Sequence, residues 1–394
     1  MQHIARMAPG SDVRHALVMP EAQLMPWQEL DALSRDAWAD LAAYASEPNA
    51  FLAPWFLAPS LAQFCTNPDL RVFLLWAGRA GSSQLAGLLP IGAQSKFGRW
   101  PVPHIQNWMH HNMFLGTPLV RPGYEAIFWE QLLAMLDDSD WPGFLHLNGL
   151  TVGGPVEAAL NQICESQRRA CELVHIEARA MISSQASADR YFEAAIRGKK
   201  RKELRRQAKR LSEIGVVTQA RHRDDNELGT WISEFLALEQ SGWKGKGGSA
   251  LACDPATRDF FGEVVQGAAT AGALERLDLR LDGKPLAMLV NFLTPPGSFS
   301  FKTTFDENFA RFSPGVLLQL DNDVALSGGA VKWMDSCAAS GHPMIDSLWT
   351  ERRHIGRFSV ALSGVARRQV FRAVRFGERA MDRIKHRQIA APPA

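Results

Sequence analysis

The hydrophobic and polar positions of the first half switch between helical and strand-like spacing. Leu30, Leu33, Trp38 and Leu41 recur at helical intervals within residues 27–45, and residues 124–136 have the same period. Other stretches are typical of strands, namely 71–78, 85–93, 104–110, 113–120 and 144–150. The sequence GSSQ at 81–84 indicates a hairpin turn. The pattern predicts a module of helices and strands.

The second half repeats this order. Residues 191–214 predict a basic helix that ends at Gly215 in a left-handed C-cap, and Asp282-Gly283 predicts a hairpin. Further helices are predicted at 228–239, 257–271 and 313–326, and strands at 216–220, 298–306 and 331–338. Both halves therefore show strand, strand, strand, helix, strand, which suggests an internal duplication.

Composition narrows the class of protein. The chain has 394 residues, of which 46% are hydrophobic, so disordered and collagen-like classes are excluded. Its five cysteines are scattered without a C-x-x-C pair, so we expect reduced thiols in the cytoplasm and no metal site. The apolar runs 72–77 and 85–93 are too short to span a bilayer.

Charge is unevenly distributed along the chain. The net charge is only +2, yet residues 197–210 carry +8 and residues 357–388 carry +7, so the remainder carries −13. A basic amphipathic helix can lie on an anionic membrane, contact RNA, or cover its own protein with solvated arginines. No RNA-binding signature is visible, so we expect no nucleic-acid partner.

The junction at 311–317 has the features of an anion site. A strand that passes through a glycine-containing loop into a helix directs free N–H groups and the positive helix end at one point. Ser313 is a favoured N-cap, Pro314 a favoured first helical residue, and Gly315 allows close approach of a ligand. A well-capped structural helix would look the same.

The flanking sequence gives this junction a context. The segments KKRKELRRQAKRL, LALEQSGWKGKGGSAL, LRLDGKPLAMLV, FSFKTTFD and HPMIDSLWTERR accompany SPGVLLQ. Together they resemble the bacterial GNAT-superfamily acetyltransferases called CelD-like, or cellulose-biosynthesis-associated. Those proteins look like tandem GNAT modules, as do Fem-type aminoacyl transferases. The resemblance covers about residues 25–360 and is strongest from 189 onward.

The resemblance implies a fold and a domain organisation. The fold class is α+β (mixed α/β), with two tandem GNAT-like modules, each a mixed, mostly antiparallel sheet flanked by helices. We expect an extension at 1–24, a module without cofactor at 25–180, an acyl-CoA module at 181–362 and a basic helix and tail at 363–394.

In the GNAT family the junction holds the pyrophosphate of acyl-CoA. The resemblance therefore implies that acetyl-CoA binds to Arg311, Phe312, Ser313, Pro314, Gly315, Val316 and Leu317. The family pattern, Arg/Gln-x-x-Gly-x-Gly/Ala, is incomplete because the second glycine is missing and Pro314 has no N–H to donate.

Acyl transfer needs a group that takes the proton of the attacking amine or hydroxyl. Asp335, at the end of a predicted strand, is the first candidate, with capping of the next turn as the alternative; Glu239 is the second. Many GNAT enzymes protonate the leaving thiolate with a tyrosine, but no tyrosine follows Tyr191. Water, Ser336, Cys337 or His342 would replace it, or the thiolate would leave unprotonated.

Several residues are candidates for binding the acceptor substrate. Trp243 and Lys244 lie in a glycine-rich loop, and Lys302, Thr304 and Asp306 alternate along one strand. In the first half, Asn107, Trp108, His110, His111 and Asn112 form a polar and aromatic group. If the two modules face each other, this group would form the acceptor side; an ordinary hydrogen-bonded turn is the alternative.

Together these observations predict an acyl-CoA-dependent N-acetyltransferase. By resemblance it would act on a small-molecule, glycan or lipid-linked acceptor in bacterial polysaccharide or envelope synthesis. We expect a cytoplasmic protein whose basic helices contact an anionic inner membrane. The alternatives are a Fem-type transferase that uses aminoacyl-tRNA and a non-catalytic adaptor of a polysaccharide synthase.

Overall fold

The computed structural model describes residues 20–78, 83–184, 187–322 and 331–390. The strands are β1 Glu21–Pro26, β2 Arg71–Ala77, β3 Gln84–Gln94, β4 His104–Asn107, β5 Leu119–Val120, β6 Leu145–Thr151, β7 Cys171–Ile182, β8 Val217–His222, β9 Leu274–Leu281, β10 Lys284–Thr294, β11 Gly297–Phe305, β12 Trp333–Asp335 and β13 Glu351–Val360. The α-helices are α1 Arg35–Ala43, α2 Pro54–Phe64, α3 Glu125–Asp137, α4 Pro155–Ser166, α5 Ala188–Ala195, α6 Gly198–Ser212, α7 Leu228–Ser241, α8 Trp243–Lys246, α9 Pro255–Thr270, α10 Pro314–Asn322 and α11 Val365–Ala390.

The strands form one mixed sheet in which each half has the same topology. The order is β1-β2-β3-β4-β6-β13-β7-β12-β11-β10-β9-β8, with β5 paired to β3. In the first half β1 to β4 form an antiparallel meander, and β6 then pairs parallel to β4 after the crossover through α3. In the second half β8 to β11 form the meander and β12 pairs parallel to β11 after α10. The fold is the expected mixed α/β arrangement of two GNAT-like units.

The two halves exchange their last strands. β13, the last strand of the chain, pairs antiparallel with β6 of the first half, whereas β7 pairs antiparallel with β12 of the second. β7 and β13 also pair with each other and form the centre of the sheet. The boundary at 180/181 stays a prediction, and the sheet hydrogen bonds run across it without a break.

A shared core fixes the two halves against each other. Aromatic side chains of the first half meet those of the second, with ring centroids of Phe51 and Phe299 5.2 Å apart and those of Phe56 and Phe292 5.9 Å apart. Phe51, Phe56, Phe292 and Phe299 are fully buried. Burial of one such ring contributes about 1.5–3 kcal/mol, so the junction between the halves is part of the folded core.

Strands and helices with regular patterns agree with the sequence prediction. The strands predicted at 71–78, 85–93 and 144–150 correspond to β2, β3 and β6, and the hairpin at Asp282-Gly283 is present, with φ of 50° and 80°. Part of the turn predicted at 81–84 lies outside the described residues. β1, α2, α4, β7 and β13 were missed. Pro54 begins α2 as its first residue, where proline is tolerated.

Other predicted elements differ from the structure. The helix predicted at 191–214 is interrupted at Ile196, whose extended backbone (φ −106°, ψ 126°) lets its side chain pack in the buried cluster around Trp349. α6 ends at Ser212, and Gly215 has no positive φ, so the predicted left-handed cap is wrong. Gly215 instead leaves room for the Asp282 carboxylate, because a Cβ there would lie 2.5 Å from Asp282 Oδ2. Residues 323–330, which include the predicted end of the helix at 326, lie outside the described residues.

The basic segment at the end of the chain forms α11. Phe371 and Val374 are 3% and 4% exposed and pack with Phe144 against the first half of the sheet. One face of α11 therefore covers the protein's own sheet, while Arg368, Arg372 and Arg379 of the same helix are exposed. Among the described residues no helix is long and apolar enough to cross a membrane.

Candidate functional site at the junction of the two halves

The loop after β4 carries polar residues of the first half into the junction. β4 ends at Asn107, so the strand predicted at 104–110 is shorter than expected. Asn107 Nδ2 donates to the carbonyl oxygens of Asn148 (2.8 Å) and Gly116 (3.2 Å), and its Oδ1 accepts from Asn148 N–H (2.7 Å). Asn107 therefore anchors the loop, and Trp108, 9% exposed, packs in the core.

A β-bulge turns Lys302 toward this loop. Val290 pairs with Lys302 and Asn291 with Ser300, so Phe301 is the extra residue of β11. Lys302 and Thr304 consequently share the face on which Val290 and its neighbours meet the first half. Asp306 lies beyond the strand, where its side chain accepts from Asn308 N–H (2.9 Å) and caps the 3₁₀ helix Glu307–Phe312.

Lys302 is a buried amine held between the halves. Its Nζ donates to Asn112 Oδ1 at 2.8 Å and lies 5.5 Å from the Phe114 ring centroid and 5.4 Å from that of Phe301. Burial, followed by the charge of Lys244, lowers the pKa of Lys302 to about 8, while Glu239 acts in the opposite direction. A fraction of this amine is therefore neutral near physiological pH and can accept a proton.

Asn112 presents an unused hydrogen-bond donor beside Lys302. Its side chain is 2% exposed, and Nδ2 has no hydrogen-bond partner among the described residues. A buried donor without a partner costs about 1–3 kcal/mol. Such a donor next to a buried amine is well placed to bind an oxygen atom of a ligand.

His110 lies in an aromatic environment and stays neutral. Its ring centroid is 4.5 Å from that of Phe64 and 5.4 Å from that of Trp108, and Nε2 lies 3.1 Å from Ser60 Oγ. Burial, with smaller effects of His111 and Lys302, lowers the pKa of His110 to about 3. Burial and Lys302 also lower the pKa of His111. The residues described here contain no group of side chains that could hold a metal ion.

Two charged residues of the second half, Glu239 and Lys244, lie near Lys302. Glu239 is 3% exposed; its Oε1 accepts from Lys244 Nζ (2.7 Å) and its Oε2 from Leu251 N–H (2.8 Å). Both carboxylate oxygens are thus engaged in holding the loop after α7. Trp243 is 63% exposed, so it does not pack in the core and its ring is accessible.

Next to Lys302 the sheet opens. β11 pairs with β12 only from Gly297 to Phe299, opposite Trp333 to Asp335, and β11 then continues to Phe305 without β12 beside it. Cys337, two residues after the end of β12, has a left-handed backbone conformation (φ 54°). It is close enough to Lys302 to influence the pKa of Lys302. The Lys302 face and the face that carries α10 both adjoin this part of β11, which has no pairing with β12.

The helix α10 begins on that opposite face. Ser313 has φ 53°, and its carbonyl oxygen accepts from Val316 N–H (2.9 Å) and Leu317 N–H (3.0 Å). Pro314 has no N–H, so Gly315 supplies the amide at the start of the helix. A Cβ on Gly315 would lie 3.3 Å from Phe305 Cδ1, so this glycine packs closely on β11. Phe312 is buried, and Arg311 is exposed over its ring at 4.7 Å.

Positive charge surrounds this helix start. α6 packs against the 3₁₀ helix that leads into α10, with Leu211 in the same buried cluster as Phe312 and Leu318. The basic segment of residues 197–210 therefore lies beside the expected pyrophosphate position rather than far from it. This arrangement suits a ligand with several phosphate groups.

Asp335 lies outside this group of residues. It is fully buried, with Oδ1 3.0 Å from Arg179 Nε and Oδ2 3.1 Å from Arg353 Nη1, and Oδ1 also accepts from Cys337 N–H (2.8 Å). These contacts join β12 to β7 and β13, and they favour a structural role. A catalytic role of Asp335 stays a prediction. The same holds for His342, which is exposed in the loop after β12.

The structure thus brings together one set of the residues that the sequence singled out. The junction site consists of His110, His111, Asn112, Glu239, Lys244 and Lys302. The lowered pKa of Lys302 could not be foreseen, because it depends on burial between two distant segments. Arg179 was missed since β7 has little hydrophobic alternation, although an arginine among apolar residues at its end was a visible signal.

One family model matches part of the second half of the chain. Residues 198–322 match the family model described as Acetyltransferase (GNAT) domain. No curated protein matches the chain.

Solved structures with the same fold cover most of the chain. The crystal structure of FemX has 10% identity and a TM-score of 0.55, over 83% of this chain and 96% of that one. A conserved protein of unknown function from Bacteroides thetaiotaomicron has 12% identity and a TM-score of 0.52, over 84% and 98%. A C-terminal DUF2156 domain from Agrobacterium fabrum has 11% identity and a TM-score of 0.51, over 83% and 92%. At these identities the likeness concerns the fold.

Proposed function

We propose that this acyltransferase, whose residues 198–322 form a GNAT domain, transfers an acetyl group from acetyl-CoA to an amine or hydroxyl group of an acceptor. The observation that carries the proposal is the opening between β11 and β12. On one face of the sheet it borders the start of α10 and the basic helix α6, and on the other it borders Lys302 and Asn112. A donor on the first face and an acceptor on the second would meet at the opening.

In the proposed reaction the residues on each face of the sheet have a separate role. The acceptor nitrogen or oxygen attacks the thioester carbonyl, the C–S bond breaks, and the thiolate leaves as the acyl product forms. The acceptor's proton passes to neutral Lys302 Nζ, whose pKa of about 8 supplies that form. Asn112 Nδ2 holds an oxygen of the acceptor, and the amide of Gly315 with the charges of α6 holds phosphate groups of the donor.

The acceptor belongs to the proposal as well. We place it among amine-bearing precursors of bacterial polysaccharide or envelope synthesis, in line with the CelD-like resemblance of the sequence. The junction site combines cations with neutral histidines, and the exposed Trp243 precedes Lys244 in the chain, which suits an anionic or sugar-containing acceptor. The reaction would then occur on the cytoplasmic side of the inner membrane.

Binding of acetyl-CoA tests the donor assignment. A ligand present at about 100 times its dissociation constant stabilises a protein by about 2.7 kcal/mol, which raises the thermal midpoint measurably. We expect this shift for the unmodified protein and for Gly229→Trp, an exposed glycine with open space around it. Gly315→Trp should remove the shift, because its side chain would displace Phe305 and the ligand. No shift at millimolar acetyl-CoA in the unmodified protein would reject the proposal.

A second candidate function rests on α6. Its exposed cations, among them Lys202, Arg205 and Lys209, would also suit the backbone of an aminoacyl-tRNA. Salt-sensitive binding of tRNA that disappears when Lys199 to Arg206 are neutralised, together with no response to acetyl-CoA, would favour this transferase over the acetyl-CoA enzyme.

A further inference from the structure

A cavity lined with arginines lies between α11 and the turn that joins α4 to β7. Its volume is about 1000 Å³. Arg168 and Glu172 form one side, Arg368, Arg372 and Arg375 project from α11, and Ala361, Leu362 and Phe371 contribute apolar surface. The volume is in the range of ligand-binding pockets.

Half of the arginines that line this cavity are already paired. Arg169 pairs with Asp137 at 2.5 Å, and Arg375 and Arg379 pair with Glu172 at 2.9 and 2.6 Å. The hydrogen bonds of Arg375 and Arg379 lower the pKa of Glu172, so this carboxylate stays ionised. These three arginines are held in place and their charge is partly compensated.

The other three arginines have no such compensation. Arg168, Arg368 and Arg372 form no ion pair with any residue in the described part of the chain, and all three are exposed. Arg368 makes only a long hydrogen bond to the carbonyl oxygen of Gly364 (3.4 Å). Three guanidinium groups around one cavity, with the local acids already paired, are suited to a phosphate group, which guanidinium binds in bidentate geometry.

Apolar surface accompanies these charges. Phe376 lines the cavity and is 76% exposed, although it lies one helical turn from arginines on a helix that buries Phe371. A free phosphate would gain nothing from Phe376, whereas the acyl chain of a lipid would cover it. The combination favours a ligand that carries a phosphate group and an apolar chain.

We propose that this cavity binds the headgroup of an anionic phospholipid, with the phosphate between Arg168, Arg368 and Arg372 and the adjoining chain against Phe376. The site is separate from the junction site. The cavity borders β7 at Glu172, whereas β7 pairs with Asp335, two residues before the Cys337 that lies near Lys302, at Met181, nine residues or about 30 Å further along the extended strand. The lipid site does not depend on acetyl transfer, and it would hold the protein at a membrane surface.

Vesicle cosedimentation tests the proposal with the full chain. We expect binding to vesicles of equal parts phosphatidylglycerol and phosphatidylcholine and none to pure phosphatidylcholine. Arg368→Glu with Arg372→Glu should reduce binding by at least about 30-fold, since each lost cation near an anionic surface costs about 1 kcal/mol and the two added carboxylates are repelled as well. The matched control is Arg205→Glu with Arg210→Glu, two exposed arginines of α6 that receive the same change in charge.

Two further measurements separate the sources of the phosphate group. Phe376→Ala should weaken vesicle binding without changing the affinity for inorganic pyrophosphate, measured by calorimetry. Pyrophosphate binding that is lost in Arg368→Glu with Arg372→Glu, together with no vesicle binding by the unmodified protein, would overturn the lipid proposal and indicate a soluble phosphate ligand of this cavity. Equal loss in both arginine pairs would overturn the site, because attraction would then follow overall charge. Arg372→Gln, a milder change, repeats the test should the double reversal disturb folding, which circular dichroism monitors.

Discussion

Lys302 and Asn112 connect the two halves of the protein through a hydrogen bond of 2.8 Å from Lys302 Nζ to Asn112 Oδ1. Lys302 reaches this point because of the bulge in β11, and Asn112 because β4 ends at Asn107 and releases the following loop. Neither half contains the pair alone. The proton acceptor and the unused donor of the junction site therefore exist only when both halves are packed together.

Replacement of Lys302 tests its role in proton transfer. With a pKa of about 8, its neutral form increases as pH rises, so the rate of acetyl transfer should increase with pH and level off above about 8. Lys302→Met should reduce kcat by about 10²- to 10⁴-fold, the usual contribution of a general base. Lys284→Met, at an exposed position of β10, is the control and should keep the original profile.

A change at Asn112 should shift the pH dependence of the acetyl-transfer rate to higher pH. Asn112→Asp places a carboxylate beside Nζ, which favours the charged amine and raises the pKa of Lys302. The plateau of the rate should then shift to higher pH. An unchanged profile in Asn112→Asp would show that Lys302 does not control the rate.

The free energy of unfolding at acidic pH should depend on His110. Its pKa is about 3 in the folded protein and 6.5 in the unfolded chain, so the unfolded chain binds more protons between these values. His110 should therefore contribute a loss of stability of about 1.4 kcal/mol for each pH unit below 6.5, until the pH reaches about 3, in addition to the contribution of His146, whose pKa is lowered to the same extent. His110→Phe keeps an aromatic ring among Phe64 and Trp108 and should reduce this slope in urea unfolding at several pH values. His175→Phe, at an exposed histidine, should keep it.

The ion pairs of Asp335 predict a large effect on stability. Asp335→Ala would leave Arg179 and Arg353 buried without their carboxylate, which costs about 3–5 kcal/mol. Urea unfolding measures this loss. Asp259→Ala, which breaks an exposed pair with Arg258, should change stability by less than about 1 kcal/mol. If Asp335→Ala were as stable as the unmodified protein but inactive, the catalytic role expected from the sequence would be supported instead.

Local patterns predicted most elements of the fold, whereas long-range contacts decided the rest. The hairpin at Asp282-Gly283 and the helix α3 follow from short sequence signals. The exchange of β7 and β13 has no such signal, because a strand's partner depends on the whole sheet. The break at Ile196 likewise follows from tertiary burial, which overrides the helical propensity of residues 191–214.

The candidate site, too, could be predicted only in part from the sequence. Residue type and spacing selected His110, His111, Lys244 and Lys302, and the structure brings these side chains to one junction. The same criteria selected Asn107, which anchors a loop, and Asp335, which pairs with two arginines. A polar side chain in a sequence does not reveal whether its partner will be backbone, another side chain or a ligand.

Gly116 links the fold of the first half to the geometry of the site. A Cβ at this position would lie 2.0 Å from the carbonyl oxygen of Asn148 and 2.6 Å from Asn107 Nδ2, so Gly116→Ala must displace the loop that carries His110 and Asn112. We expect a loss of about 1–3 kcal/mol in urea unfolding and a higher KM for the acceptor. Gly262→Ala is the matched control, and its effect on stability should have the opposite sign. Gly262 lies inside α9, and apart from the neighbouring backbone of this helix no atom lies within 4 Å of the point that an alanine methyl group would occupy, so alanine should stabilise the protein by about 0.5–1 kcal/mol. Unchanged stability and KM in Gly116→Ala would mean that the loop adapts without moving Asn112.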